Sequence, residues 1–359
     1  MAKTKAKDWK KQILEKYGDV IVSGTNVLNN KKDAKVLSVS PMLDISLGGG
    51  IKEGSWVMLS GDPKCGKTTT AMQIAANAQK EGRHVLYVDA EGRLKEMNFE
   101  VPELDPEKMS VMQPRGKPIP AEKFLDWAYN EMTNPDNHGA VLIIDSISSL
   151  ISEKELDGDF SPTRAGLPKI LSIFTKKMGQ VLPNQKGLIV MITHTIANTS
   201  GMGAAKMADG GRKIQYQVDT RMEVKSGGEK IPAVKPWVDE TGDIIGQQVN
   251  WRILCSSMGS PGGNCQSFIR YGEGIDDCQE YLQLAQQLAL IDRSGAWFKM
   301  MFMLEDKKLM KKLKPDLDTE DEAACIKAFQ FQGQPKVYNY LKENPECVKL
   351  LAKTIKEML

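Results

Sequence analysis

At 359 residues and 41% hydrophobic content, the chain can build one large domain with appendages, or two domains, each with a full core. A formal net charge of +2 excludes a globally basic nucleic-acid binder, so any such surface has to be local. The six cysteines form no CxxC pair, the three histidines are too scattered for a zinc site, and no apolar run near 18 residues and no signal-peptide pattern is present, so a reduced, soluble, intracellular protein without a membrane partner is expected.

In chain order, residues 8 to 17 place Trp9, Ile13, Leu14 and Tyr17 on one helical stripe, ended by Gly18. Such a helix packs either on its own core or on a neighbouring subunit. Residues 22 to 36, with Asn29-Asn30-Lys31-Lys32-Asp33, read as a polar connector, and a core begins near Val36. Ser55 to Ser60 is short, apolar and strand-like, and Thr69 to Lys80 reads as a helix. Between them Gly61-Asp62-Pro63-Lys64-Cys65-Gly66-Lys67-Thr68 matches the phosphate-loop pattern G-x-x-x-x-G-K-[ST] without a mismatch. The glycines let the backbone turn so that N–H groups and a helix N-terminus face phosphate oxygens. Lys67 brings charge to the β- and γ-phosphates, the Thr68 hydroxyl suits Mg²⁺, and Thr69 continues the cradle, so ATP and Mg²⁺ are the expected cofactors.

His84 to Asp89 and Ala140 to Asp145 are apolar runs that each end in an acid, as doubly buried strands of a mostly parallel sheet do. Asp145, followed by Ser146, stands where a carboxylate holds Mg²⁺ through its water shell. Glu91, in Val88-Asp89-Ala90-Glu91-Gly92, is favoured as the general base for an attacking water, with Asp89 its rival. Pro120 to Met132 and Pro168 to Val181 read as helices, and Gly187 to Thr193 as the next strand. His194 follows that strand, where it can act either as a γ-phosphate sensor or as a structural residue.

Residues 195 to 213 are rich in Gly, Ala, Ser and Met without a clear period, the signature of a functional loop. Val218 to Lys225, Gln248 to Leu254 and Ser267 to Tyr271 look like strands added antiparallel, with 226 to 246 a loop or β-excursion. After Gly274 the pattern turns helical: Cys278 to Leu290, Asp321 to Gln332, Pro335 to Glu343 and Pro345 to Leu359, with Met300 to Leu304 as core packing or a strand. The lysines 307, 308, 311 and 312 read as a solvated face, with DNA contact the rival reading.

Several stretches resemble the RecA-type homologous recombinases, bacterial RecA and the phage UvsX-like branch. They are Ser38 to Gly50, Val88-Asp89-Ala90-Glu91, Ile143-Ile144-Asp145-Ser146, Asp209-Gly210-Gly211, Tyr271-Gly272-Glu273-Gly274-Ile275 and Leu290 to Trp297, and they span roughly residues 8 to 300. Ile192-Thr193-His194-Thr195 is similar to the phage version, since bacterial RecA carries Gln at the sensor position. The resemblance implies an α/β, RecA-type P-loop ATPase core with a mostly parallel central sheet, an N-terminal helix and a small C-terminal α(+β) domain. The expected division is 1–35 for subunit packing, 36–275 for the core and 276–359 for the C-terminal domain. It further implies a helical homo-oligomeric filament on single-stranded DNA that pairs and exchanges strands with double-stranded DNA in the cytoplasm of a bacterium or phage-infected host, with single-strand-binding and mediator proteins as partners.

The resemblance assigns residues 156–166 and 197–211 as DNA-binding loops. Phe160, Arg164, Met202, Lys206, Met207, Gly210, Gly211, Arg212 and Lys213 are the expected contacts. Glycine N–H groups and the basic side chains suit phosphates, Phe160 can stack, and the methionines can wedge between bases. The chain departs from bacterial RecA in two respects. No lysine pair stands in Arg252 to Pro261, where the family closes the neighbour's ATP site, so either another cation such as Arg252 or Arg270 substitutes or ATP is sensed differently across the interface. The acidic C-terminal tail is also missing. A RecA-fold motor or regulatory ATPase, and a non-catalytic paralogue that binds DNA and ATP, are the alternatives, and the Tyr271 and Gly295 motifs disfavour the first.

Overall fold

A computed structural model describes residues 24–158, 166–197, 206–208, 212–226 and 231–358, with positions 13, 15, 16, 18 and 22 ahead of them. Trp9, Leu14 and Tyr17 of the expected N-terminal stripe lie outside the described residues. The chain divides into two units, Met1–Val36 and Leu37–Leu359. In the first, helix α1 (Gly24–Lys32) replaces the expected connector. Its Gly and Asn residues have weak helix propensity, which is why the sequence favours a loop there.

In the second unit, six strands run parallel: β1 (Ser55–Gly61), β2 (Val85–Asp89), β3 (Met109–Met112), β4 (Val141–Asp145), β5 (Leu188–Ala197) and, further along the chain, β7 (Thr220–Val224). Their spatial order is β7-β1-β5-β4-β2-β3, so the strand bearing the phosphate loop is hydrogen-bonded on both edges. Alternation along the strands sorts the core into two layers. Val57, Leu59, Val85, Tyr87, Val141, Ile143, Val190 and Ile192 pack on helix α3 (Lys67–Lys80), which follows the short helix α2 (Pro41–Leu47) in the chain. Trp56, Met58, Leu86, Val88, Leu142, Ile144, Ile189 and Met191 pack on α4 (Ala121–Thr133) and α5 (Leu167–Gln185). Both faces are covered, which is why these strands read as continuous apolar runs rather than alternating ones.

Beyond β7 the sheet continues antiparallel with β9 (Ile244–Cys255), β10 (Asn264–Arg270) and β11 (Gly274–Ile275). Strand β8 (Val234–Val238) pairs with β9, so the insert is the β-excursion. Strand β5 runs past its expected end at Thr193 to Ala197 and forms a hairpin with β6 (Lys206–Ala208), after which comes helix α6 (Arg212–Gln217). The aperiodic stretch therefore has an ordered base.

A third apolar cluster joins α7 (Asp277–Gln287), the hairpin β12 (Ile291–Ser294)–β13 (Trp297–Met300) and helices α8 (Lys307–Leu313), α9 (Glu322–Ala328), α10 (Gln334–Glu343) and α11 (Pro345–Met358). The helix expected to reach Gln332 stops at Ala328, and Gln330–Gln332 forms β14 against β13 instead. Phe302 and Met303 are buried in a 3-10 turn, core packing as expected. Among the described residues no helix is long and apolar enough to cross a membrane.

Candidate active site

Parallel strands bring the tips of β1, β2, β4 and β5 to one edge of the sheet, and the site is built there. In the phosphate loop Gly66 has φ +89, where a side chain would be strained, and N-caps α3; a Cβ at this position would also push Ile269 Cδ1 aside. Lys67 is buried, and its Nζ donates to the carbonyls of Gly61 at 3.0 Å and Asp62 at 2.7 Å and touches Cys65 Sγ at 3.7 Å. Burial raises the Cys65 thiol, which keeps it protonated despite the lysine beside it.

Thr68 Oγ1 donates to Asp145 Oδ2 at 2.7 Å, joining the loop to the tip of β4. The same oxygen accepts from Tyr87 Oη at 2.8 Å. Burial holds the Asp145 carboxyl above its ordinary value, the hydrogen bonds of Thr68 and Tyr87 oppose that, and the charges of Glu91 and Asp89 add to it. An acid held this way is suited to a bound cation. Thr68 and Asp145 are thus adjacent.

Glu91 Oε1 accepts from Ser149 Oγ at 2.9 Å, His194 Nε2 at 3.1 Å and Ser146 Oγ at 3.2 Å. Burial alone would raise its carboxyl, but the bonds from His194, Ser149 and Ser146 bring it below the ordinary glutamate value. Glu91 is therefore an ionised acceptor at neutral pH. Asp89 is turned away to the backbone, accepting from Arg93 N at 3.2 Å and Leu94 N at 3.1 Å. It fixes the turn that presents Glu91. His194 stands opposite Gly61 in the β1–β5 ladder, and its backbone N–H donates to Ser148 Oγ at 3.1 Å. Because Nε2 faces a carboxylate, it carries the proton, leaving Nδ1 buried without a hydrogen-bond partner among the described residues.

Lys67, Thr68, Glu91, Asp145 and His194 are thus brought together. Tyr87 and Ser149 were not foreseen: a tyrosine inside an apolar run reads as core, and only its register beside Ile143, two residues before Asp145, aims the phenol at that acid. Of the expected DNA contacts, Phe160, Arg164, Met202, Gly210 and Gly211 lie outside the described residues, and Lys206, Met207, Arg212 and Lys213 are described as backbone alone. Arg270 is committed within its own chain: Nε donates to Asp276 Oδ2 at 3.0 Å, Nη2 to Tyr338 Oη at 3.1 Å, and Cζ sits 4.5 Å over the Trp237 ring. Arg252 is exposed on β9.

A phosphate loop after a central parallel strand, a carboxylate bonded to its threonine and a second acid at the neighbouring strand tip define a P-loop nucleoside-triphosphatase core. The family model for the RecA N-terminal domain matches residues 6–276. The chain is 28% identical to Protein RecA of Ruminococcus albus over 286 residues, 77% of this chain and 68% of that one. It is also 28% identical to Protein RecA of Limosilactobacillus reuteri over 293 residues, 80% and 76% of the two chains, and to that of a Sulfurovum species over 300 residues, 80% and 82%. The chain belongs to the RecA-type recombinase family.

Proposed function

We propose that the protein hydrolyses ATP in a DNA-dependent manner and uses that cycle to form and release a helical filament that exchanges homologous strands. The observation that carries the reading is the pairing of two acids in different states, Asp145 tied to Thr68 and Glu91 tied to His194, on one sheet edge beside Lys67. Mg²⁺-ATP, when bound, supplies the phosphoryl group under attack. Lys67 offers its ammonium to the phosphates, while Thr68 would hold the metal through its hydroxyl and Asp145 through the metal's water shell. Glu91, ionised and held by three donors on one oxygen, orients the attacking water and takes its proton. His194 reads the occupancy of that place and passes it along β5 to the β5–β6 hairpin, the base of the second DNA-binding loop. Arg252 is the exposed cation that fits closure of a neighbour's site, since Arg270 is held within its own chain.

The Glu91 network favours an active enzyme over a non-catalytic paralogue. Electron microscopy with single-stranded DNA and a non-hydrolysable ATP analogue, paired with ATPase assays with and without that DNA, tests the reading. Helical filaments and DNA-stimulated turnover are expected. Rings without DNA-stimulated turnover, or DNA binding without hydrolysis, would overturn it.

A further inference from the structure

The Thr195 hydroxyl Oγ1 donates to the Asp62 carboxylate Oδ1 at 2.5 Å. The two residues serve different parts of the molecule. The last rung shared by β1 and β5 is Gly61–His194, and in the next position Thr195 pairs with Ala208 of β6. Thr195 is therefore the first residue of β5 held by the hairpin rather than by the central ladder. Asp62, the second residue of the phosphate loop, gives its backbone carbonyl to Lys67 Nζ at 2.7 Å. One residue thus holds the phosphate-binding lysine through its backbone and the hairpin through its side chain.

A hydrogen bond to an ionised carboxylate is about twice as strong as a neutral one. A shift of the loop backbone around Lys67 must either carry Thr195 with it or break that bond, and both outcomes reach the hairpin. We propose that Thr195 is a positioning residue that links the phosphate loop directly to the β5–β6 hairpin, so that nucleotide and DNA binding are coupled through Asp62 as well as through His194. The inference rests on reading that hairpin as the base of a DNA-binding loop. The two contacts use different partners: His194 bonds Glu91 and Thr195 bonds Asp62.

The test measures four affinities of the full-length protein: a fluorescent non-hydrolysable ATP analogue with and without oligo(dT), and labelled oligo(dT) with and without the analogue. Linkage requires that each ligand change the other's affinity by the same factor. In Thr195→Val both factors should fall together by about fivefold, the worth of one hydrogen bond to a charged group discounted for its exposure to solvent. Affinity for the analogue alone should stay within about twofold. Thr195→Ser, which keeps the hydroxyl, should keep the wild-type factors. Wild-type factors in Thr195→Val would overturn the inference, as would loss of coupling in Thr195→Ser, since the methyl packing would then carry it. If oligo(dT) affinity of the wild-type protein ignores the analogue, the recombinase reading falls and takes this inference with it, a result separate from any effect of the variants.

Discussion

Glu91→Gln isolates the chemistry from the scaffold. The amide keeps Oε1, which can still accept from Ser149, Ser146 and His194, and replaces only Oε2, whose partner Arg93 Nη1 lies 3.4 Å away on a side chain 80% exposed. An ion pair that exposed is worth about 0–1 kcal/mol, so folding and nucleotide binding should persist. What disappears is the capacity to take a proton. Loss of a general base costs about 10²-fold to 10⁴-fold in turnover, or about 3–5 kcal/mol of barrier. Steady-state ATPase with single-stranded DNA, alongside affinity for a fluorescent ATP analogue, separates the two effects. Because Glu91 ionises below the ordinary glutamate range, its protonation should not limit wild-type turnover until the pH falls below that range. Turnover of the variant within about threefold of wild type would refute the assignment. A matching loss of nucleotide affinity would recast Glu91 as a scaffold residue.

Tyr87→Phe removes the 2.8 Å hydrogen bond to Asp145 while keeping the ring in its layer of the core. It should raise the Mg²⁺ concentration for half-maximal turnover by about tenfold; an unchanged Mg²⁺ titration would show that the Tyr87 phenol does not set the acid. Gly66→Ala places a Cβ against Ile269 at φ +89 and should abolish nucleotide binding, with a stability loss of about 1–3 kcal/mol on thermal denaturation. A bound analogue with wild-type affinity would contradict it. Glu280 is fully buried, accepts from Met42 N at 2.9 Å, and burial pushes its carboxyl from 4.5 up to about 8 against the hydrogen bonds it receives. The folded chain therefore keeps a proton that the unfolded chain has released, so Glu280 makes stability fall as pH rises from about 4.5 to about 8. Glu280→Gln should flatten that fall by up to about 1.4 kcal/mol per pH unit in urea unfolding at a series of pH values; parallel wild-type and variant profiles would show that the acid is ionised in the fold.

The phosphate loop, Glu91, Asp145 and His194 were legible because each stands at the end of an apolar run, and parallel strands gather such ends on one edge. What the sequence hid depends on register between strands and on contacts between distant segments. Tyr87 looks like any aromatic in a buried strand until β2 is set beside β4. Ser149 and Thr195 carry short hydroxyl side chains with no pattern of their own. Asp89 and Glu91 could be ranked but not separated until the backbone of Arg93 and Leu94 was seen to occupy Asp89. Arg270 looked free because its partner Tyr338 lies 68 residues on. The helix at Gly24–Lys32 and the strand at Gln330–Gln332 went the other way, local propensity giving no sign of either.

The knot around Arg270 has a practical consequence. The family match closes at residue 276, yet the bonds do not stop there: Tyr338, from the C-terminal side, bonds both Arg270 and its partner Asp276 while Trp237 lies under the guanidinium from the β8 excursion. A chain cut at that boundary would keep Asp276 but strip a guanidinium only 16% exposed of its phenol partner Tyr338, and would open the Phe268 side of the third apolar cluster to water. The C-terminal helices are thus a clamp on the antiparallel half of the sheet. Shortened versions of the protein should keep them through Tyr338 at least, or replace Arg270 together with them.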